Sequence, residues 1–217
     1  DSSVVKPILV VLGTYTVGKE RIVKAIARAL NTSIYCEPRK RRFFECQSSE
    51  DPELLEMLGD DPLKCDVHVI SLGDVTSDAL PLYLEKWKGR WEKVLGIKPT
   101  GWTYSPPAGT DMANLQVILQ RDQRKTYNWA SLRPMRNSTP NVMLYGVPYS
   151  EHSSFFELTC FALSISYVRM IATVNVHNAK SRSKMSAWFE KWEGEKKRRE
   201  REPSTKGGLV PRHEEYW

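Results

Sequence analysis

The sequence contains few cysteines and histidines, and neither residue type is arranged as a metal site. Its four cysteines, Cys36, Cys46, Cys65 and Cys160, form no C-x-x-C pair and show no zinc-finger spacing. Its four histidines are scattered, and no H-x-H or H-E-x-x-H motif occurs. We therefore expect reduced thiols, as in an intracellular protein, and no complete metal site from these residues alone.

Long apolar runs are also absent. No segment reaches the length of a transmembrane helix and no signal peptide is present, so we expect no membrane partner. The 217 residues, 41% hydrophobic and 27% charged, are typical of a globular protein with a substantial core. A buried-type strand at residues 7–12 lies only a few residues from the start, which predicts a fragment whose preceding half is missing.

The net charge of +6 is modest, but the basic residues are clustered. The segments "EPRKRRFF" and "EGEKKRRERE" carry most of the clustering. Such clusters suit a polyanionic partner such as a nucleic acid. A solvated surface remains the commoner reason for either cluster taken alone.

Apolar runs alternate with helical periodicity along the chain. "ILVVLG" has the continuous apolar character of a strand that is covered on both faces. "GKERIVKAIARALN" places its apolar residues on one side of a helix, and "SIYCE" follows as a second strand. This βαβ pattern predicts an α/β fold with a parallel-type sheet and flanking helices.

The remaining segments extend this pattern. "DVHVISL", "KVLGIKP", "NVMLYGV" and "VRMIATVNV" predict strands, the last of them buried. "DPELLEMLGDDP", with Asp51 as its cap, "SDALPLYLEKWKGRW" and "SSFFELTCFALSI" predict helices. Residues 105–140 are polar and irregular and predict an insertion, with a helix around "MANLQVILQRDQ". "SKMSAWFEKWEGEKKRRERE" predicts a helix that runs into a charged tail.

The loop "GTYTVGKE" after the first strand spells G-x-x-x-x-G-K, the beginning of a phosphate-binding P-loop. A P-loop continues with Ser or Thr, whose hydroxyl binds Mg²⁺, but Glu20 stands here. Gly13 and Gly18 permit close backbone approach, and the helix that begins near Lys19 offers free N–H groups. The loop thus predicts phosphate binding without nucleotide hydrolysis. An ordinary helix start, with Glu20 complementing the helix dipole, accounts for the loop at least as well.

The loops "PTGWTYS" and "PYSEHSSF" also follow predicted strands. If the three strands are parallel neighbours, their loops converge at one edge of the sheet. His152, at a strand-to-helix junction, has a position suited to binding a metal. The loop is equally compatible with a structural histidine, with Ser153 or Ser154 as a helix cap and Glu157 in a capping box, or with a serine nucleophile that lacks the G-x-S-x-G motif.

Four segments in this order, "GTYTVGKERI", "PTGWTYS", "VPYSEHSSFFEL" and "ATVNV", resemble the DNA cross-link-repair branch of the metallo-β-lactamase nucleases that carry a β-CASP region. The resemblance covers Val5 to Glu193, and "SRSKMSAWFEKWE" is similar to the exonuclease members. It implies a β-CASP region at residues 1–142, with the insertion at 105–140. Residues 143–193 would return into a metallo-β-lactamase αββα domain. Outside the resemblance, the composition of residues 194–217 predicts a charged, disordered tail.

The resemblance also implies a divalent metal, zinc, as the cofactor. The family's H-x-H-x-D-H motif, which holds most of the metal ligands, has no match here. The preceding metallo-β-lactamase half of the same protein is therefore the expected partner that supplies them. His152 matches the β-CASP motif histidine, which implies a catalytic residue and metal ligand. Val174 stands where RNA-processing relatives have a further histidine.

The same resemblance assigns DNA contacts to the loops at the cleft, and the basic run after the second strand adds cations that can follow a nucleic-acid backbone. The candidate phosphate- or DNA-binding residues are Thr14, Tyr15, Lys19, Arg39, Lys40, Arg41, Thr103 and Ser150. Trp188 and Trp192, four residues apart on a helix, are expected to pack in a core rather than to stack on bases.

The function that the resemblance implies is metal-dependent hydrolysis of DNA. We expect the complete protein to be a nuclear 5′-to-3′ exonuclease that acts on single-stranded or cross-linked DNA with a 5′ phosphate, in interstrand cross-link repair. The chain alone is expected to be inactive. The alternatives are a non-catalytic basic DNA-binding or interaction module, an RNA-processing β-CASP nuclease, which Val174 disfavours, and a P-loop NTPase, which Glu20 disfavours.

Overall fold

The computed structural model describes residues 7–87, 89–101, 108–123 and 128–201. The chain divides into two compact units. Residues 1–105 and 127–151 belong to the first unit, and residues 106–126 and 152–217 to the second.

The first unit is built on a five-stranded sheet in the order β2-β3-β1-β4-β5. Every neighbouring pair of strands is parallel, which confirms the predicted α/β architecture. The strands are β1 Ile8–Thr14, β2 Ile34–Cys36, β3 Val67–Ser71, β4 Lys93–Pro99 and β5 Val142–Val147.

Helices lie in the connections between successive strands from β1 to β4, as is usual for parallel strands. They are α1 Glu20–Leu30, α2 Pro38–Glu45, α3 Pro52–Glu56 and α4 Ala79–Glu85, with 3-10 turns at Pro62–Lys64, Leu72–Asp74 and Trp129–Ser131. The predicted cap of α3 is confirmed, because the Asp51 carboxylate accepts a hydrogen bond of 3.2 Å from the Leu54 N–H. The basic run "PRKRRFFE" forms α2, which begins at Pro38, a residue favoured in the first turn of a helix.

Both faces of the sheet are covered, since the side chains of β1 point alternately to two cores. Val10 and Leu12 pack in one cluster with Val23 of α1, whereas Leu9 packs on the other face with Leu80 of α4. At Gly96 of β4 an added Cβ would lie 2.5 Å from Leu80 Cδ1. The absence of a side chain there lets α4 pack closely on the sheet.

The second unit contains three described helices: α5 Leu115–Gln123, α6 Phe155–Ser164 and α7 Ala179–Arg201. They share one apolar cluster, formed by Ile118, Leu119, Phe156, Ala162, Leu163 and Trp192. Trp188 packs against that cluster, and its ring centroid lies 4.7 Å from that of Phe155. The expectation that the two tryptophans of α7 serve packing is confirmed.

The strand predicted from "VRMIATVNV" is wrong. Residues 165–178 form no strand, and the side chains of Val168, Ile171 and Val174 are exposed. A strand needs a neighbour that satisfies its backbone N–H and C=O groups. The described part of the second unit contains no strand that could pair with this segment.

The predicted start of a disordered tail at residue 194 is also wrong, because α7 continues to Arg201. Glu195 stabilises this last part through hydrogen bonds with Arg198 and Arg199, three and four residues further along the helix. These arginines lower the pKa of Glu195 to about 2. Residues 202–217 lie outside the described part of the chain. None of the described helices combines the length and apolar character that crossing a bilayer requires.

Candidate functional site

The carboxyl ends of β1, β4 and β5 lie side by side, because β4 pairs with both other strands in parallel. The loops that follow these strands therefore leave the same edge of the sheet, and the predicted convergence is confirmed. The loops after β4 and β5 come close together, since a Cβ added at Gly101 would lie 3.3 Å from Ser150 Cβ. Thr103 and the rest of residues 102–107 lie outside the described residues.

The backbone N–H groups at the start of α1 are already bonded to carboxylates of the protein. The Gly18 N–H donates to Glu20 Oε1 at 2.8 Å, and the Lys19 N–H donates to Glu151 Oε1 at 2.8 Å. In a P-loop, N–H groups of this kind bind phosphate oxygens. Because side-chain carboxylates take these positions here, the geometry gives no support to an NTPase.

The Lys19 side chain turns toward the chain segment after β5. It is only 5% exposed, and its ammonium donates to the Tyr149 carbonyl at 3.3 Å. The same ammonium lies 5.1 Å from the centroid of the Tyr149 ring, a cation–π contact. Burial and the nearby Glu151 charge raise the pKa of Tyr149. A direct contact between Lys19 and DNA stays a prediction.

Lys40 of α2 holds the other side of the same loop. Its ammonium donates to the Tyr15 carbonyl and, at 2.8 Å, to the Thr16 carbonyl. Burial lowers the pKa of Lys40. Sequence patterns carry no sign of this contact, since the partners are 24 and 25 residues apart in the chain.

Held in this way, the β1–α1 loop exposes its tip. The Tyr15 side chain is 54% exposed, and Thr16 and Val17 are exposed beside it. Thr14, the last residue of β1, is buried instead, and its hydroxyl has no hydrogen-bond partner among the described residues. Tyr15 is therefore the aromatic side chain that this loop offers to a ligand.

The basic run of α2 divides into engaged and exposed side chains. Arg41 forms ion pairs with Glu45 at 3.0 Å and with Asp60 at 2.9 Å. Arg39 and Arg42 are exposed and form no ion pair with a described residue. The charge that this helix presents to solvent therefore comes mainly from the two outer arginines.

His152 lies directly before α6 and its side chain is exposed. The helix start beside it is a complete capping box: the Ser154 hydroxyl accepts from the Glu157 N–H at 3.2 Å, and the Ser154 N–H donates to Glu157 Oε2 at 2.5 Å. The capping role considered for Ser154 is confirmed. The role of His152 as a metal ligand stays a prediction.

The described residues do not by themselves fit a complete metal site. No group of three or more His, Cys, Asp or Glu residues among them is arranged to hold an ion. Burial raises the pKa of the Cys36 thiol to about 11 and also raises that of Cys65, so both stay protonated near neutral pH. Both ring nitrogens of His68 are bonded in the core.

Sequence reasoning missed the part played by Glu151. The residue was notable only as a neighbour of His152, yet its carboxylate bonds to a backbone group 132 residues away in the chain. No local pattern marks such a contact. The sequence gives one indirect signal: Glu151 lies in a loop that is predicted to reach the same edge of the sheet as the start of α1.

A parallel α/β sheet with polar loops gathered at its carboxyl edge defines a general class of ligand-binding proteins, and comparison with known proteins defines the family. The model of the family described as "DNA repair metallo-beta-lactamase" matches residues 52–178, more than half of the chain. The chain belongs to this family.

Individual relatives extend the similarity over most of the chain. The DNA cross-link repair protein pso2/snm1 of Schizosaccharomyces pombe is 37% identical over 193 residues, which cover 88% of this chain and 34% of that protein. The DNA cross-link repair protein SNM1 of Arabidopsis thaliana is 33% identical over 85% of this chain and 34% of its own length. The DNA cross-link repair 1A protein of Homo sapiens is 32% identical over 85% of this chain and 16% of its own length. The chain thus spans about a third or less of these relatives.

Proposed function

We propose that this chain is the C-terminal part of a metal-dependent DNA nuclease, a 5′-to-3′ exonuclease that acts on 5′-phosphorylated DNA during interstrand cross-link repair in the nucleus. The observation that carries the proposal is the 37% identity, over 88% of this chain, to a relative named as a DNA cross-link repair protein. The family description, which names both DNA repair and a metallo-β-lactamase, supports the hydrolytic activity.

The proposed architecture places a β-CASP region at residues 1–142 and the return into a metallo-β-lactamase domain at 143–193. Exposed apolar side chains at Val168, Ile171, Val174 and Val176 support this assignment. Apolar side chains concentrated in so short an exposed segment indicate a surface that another segment covers. The proposed cover is the preceding metallo-β-lactamase half of the same protein.

The proposed cofactor is a divalent metal, zinc. His152 would be one of its ligands, and the other ligands would come from the preceding half, because no group of three or more His, Cys, Asp or Glu residues among the described residues is arranged to hold an ion. The chain alone would then be inactive.

The proposed DNA-binding surface consists of exposed residues that contact DNA and of buried or bonded residues that hold them in position. Tyr15, Arg39 and Ser150 are exposed and would contact the DNA directly, the tyrosine by stacking and the arginine through a phosphate. Thr103 would join them. Thr14, Lys19, Lys40 and Arg41 are buried or already bonded, so their contribution would be to shape this surface.

A second candidate is a non-catalytic, basic DNA-binding or interaction module. The observation that favours it is the net charge of +6, together with the exposed side chains of Arg39 and Arg42 on α2. An RNA-processing nuclease is less well supported, because Val174 is apolar where those relatives have a histidine.

The test is degradation of single-stranded DNA with a 5′ phosphate or a 5′ hydroxyl by the full-length protein. The His152→Ala variant should lose roughly 100-fold or more of the activity, as expected for a residue of a metal site. His177→Ala is the matched control, since His177 is an exposed histidine of the same unit. We expect it to retain its activity.

The outcomes separate the candidates. Digestion that requires the 5′ phosphate and is lost only in His152→Ala supports the exonuclease. Equal digestion of both DNA ends would remove the 5′-phosphate specificity. Binding of DNA without digestion by a folded, metal-loaded protein would contradict the nuclease and leave the DNA-binding module.

A further inference from the structure

We infer that Glu151 is a positioning residue for His152: its carboxylate binds the start of α1 in the manner of a bound anion and so fixes the chain segment that carries the histidine. The inference rests on the proposed function, since it assigns a role to His152. The P-loop-like sequence "GTYTVGKE" predicts that a bound phosphate accepts hydrogen bonds from the backbone N–H groups at the start of α1. In this protein the Glu151 carboxylate accepts one of them.

The contact has the features of anion binding at a helix N-terminus. The Glu151 carboxylate accepts a hydrogen bond of 2.8 Å from the N–H of Lys19, the residue at the N-cap position of α1. A negative charge at this position is stabilised by the helix dipole and by the charge-assisted hydrogen bond. The Glu151 carboxylate thus accepts a hydrogen bond from an N–H group that would otherwise be available to a phosphate.

A second contact joins Lys19 to the same chain segment after β5. The Lys19 ammonium donates to the Tyr149 carbonyl at 3.3 Å. Lys19 therefore holds the segment after β5 at two places, through its backbone at Glu151 and through its side chain at Tyr149. We call Lys19, Tyr149 and Glu151 the loop anchor.

The lack of a side chain at Gly18 leaves space for the Glu151 carboxylate. An added Cβ would clash with Glu151 Oε2, and the φ angle of +95° is one that residues with side chains rarely adopt. The Gly18→Ala variant would therefore displace the Glu151 carboxylate without removing it. This gives a second, independent way to break the anchor.

The consequence for His152 follows from the covalent chain, because Glu151 is the residue before it. Fixing Glu151 restricts the backbone at the point where the histidine begins. A catalytic side chain that is misplaced by about 1 Å can lose roughly 100-fold in rate. Breaking the loop anchor should therefore lower turnover by more than it weakens DNA binding.

The first measurement follows the anchor itself, in the full-length protein and without reference to activity. Hydrogen exchange of the Lys19 amide and the NMR signals of the His152 ring should both change in Glu151→Ala and in Gly18→Ala. Glu53→Ala is the matched control, because Glu53 also bonds to α1, through Lys24 and Arg28. It should change neither signal. Unchanged signals in Glu151→Ala would overturn the inference.

The second measurement separates positioning from general stability. In Glu151→Ala and Gly18→Ala we expect kcat to fall roughly tenfold to 100-fold, with a smaller proportional change in KM for DNA. Glu151→Gln keeps an oxygen that can accept from Lys19 and should recover most of kcat. Loss of kcat in Glu53→Ala as well, or an unaffected kcat in Glu151→Ala, would contradict a positioning role.

The two proposals can fail separately. If the full-length protein degrades no DNA, the proposed function fails, while the exchange and NMR signals still decide whether Glu151 positions His152. If the protein degrades DNA and those signals do not respond to Glu151→Ala, the positioning role alone is overturned.

Discussion

His68 is a buried histidine whose two ring nitrogens have defined roles. Its Nε2 lies 3.0 Å from the Pro62 carbonyl oxygen, which can only accept, so Nε2 carries the hydrogen. Its Nδ1, 2.9 Å from the Tyr83 hydroxyl, then accepts from that group. Aromatic rings surround the imidazole, with the centroids of Tyr35 and Trp91 at 4.9 Å and 5.4 Å. The site therefore stabilises the neutral ring, and burial lowers the pKa of His68.

This depressed pKa predicts a loss of stability in mild acid. The unfolded state takes up a proton below about pH 6.5, whereas the folded state takes it up only at lower pH. The contribution of His68 is thus complete above about pH 6.5 and is lost as pH falls from there toward the folded pKa. We expect the free energy of unfolding, measured with urea, to fall between pH 7 and pH 5.5 by up to about 1.4 kcal/mol per pH unit.

The control is His68→Gln, which removes the titrating group. This variant should be less stable at pH 7 by about 1–3 kcal/mol, because buried hydrogen bonds are lost. Its stability should nevertheless change less between pH 7 and pH 5.5 than that of the unaltered protein. An equal pH dependence in both proteins would show that His68 does not cause it.

At the scale of secondary structure, α6 owes its start to the capping box of Ser154 and Glu157. Helix starts leave backbone N–H groups without partners, and the Ser154 hydroxyl satisfies one of them. The residue before it, Ser153, is exposed and does not cap the helix. The two adjacent serines therefore have different structural roles, although the sequence alone left both as candidate caps.

This difference predicts unequal effects of two neighbouring substitutions. Ser154→Ala should reduce the free energy of unfolding by about 1 kcal/mol, since a helix cap is lost. Ser153→Ala should change it by less than about 0.5 kcal/mol, as is usual for an exposed position. Urea unfolding of both variants gives the comparison. Equal losses in the two variants would mean that the capping bond does not contribute to stability.

The elements that could be predicted from the sequence are those that local patterns determine. The apolar run of β1, the periodicity of α1 and the Asp51 cap of α3 all appear in the structure where expected. In contrast, the apolar character of residues 168–176 predicted a strand, but the sequence of a segment does not show whether another strand is available to pair with it. The contacts of Lys40 and Glu151 at the candidate site were also out of reach, because they join residues far apart in the chain.

At the scale of the whole molecule, apolar side chains are distributed unevenly over the described surface. Val168, Ile171, Val174 and Val176 are all exposed within nine residues, and Phe161 of α6 is exposed as well. Isolated exposed apolar residues are common, but contiguous patches are typical of surfaces that another segment covers. The proposed cover is the preceding half of the same protein.

This proposal predicts a difference in hydrogen exchange between the chain alone and the longer protein that contains the preceding half. If that half covers residues 165–178, the backbone amides of the segment become buried, and their exchange should slow by about tenfold or more, since exchange then requires local opening. The amides of α1, which are bonded within the helix in either form, serve as the internal control and should exchange alike in both. Equally fast exchange of residues 165–178 in the longer protein would contradict the proposed cover, and a different partner would then have to cover these apolar side chains.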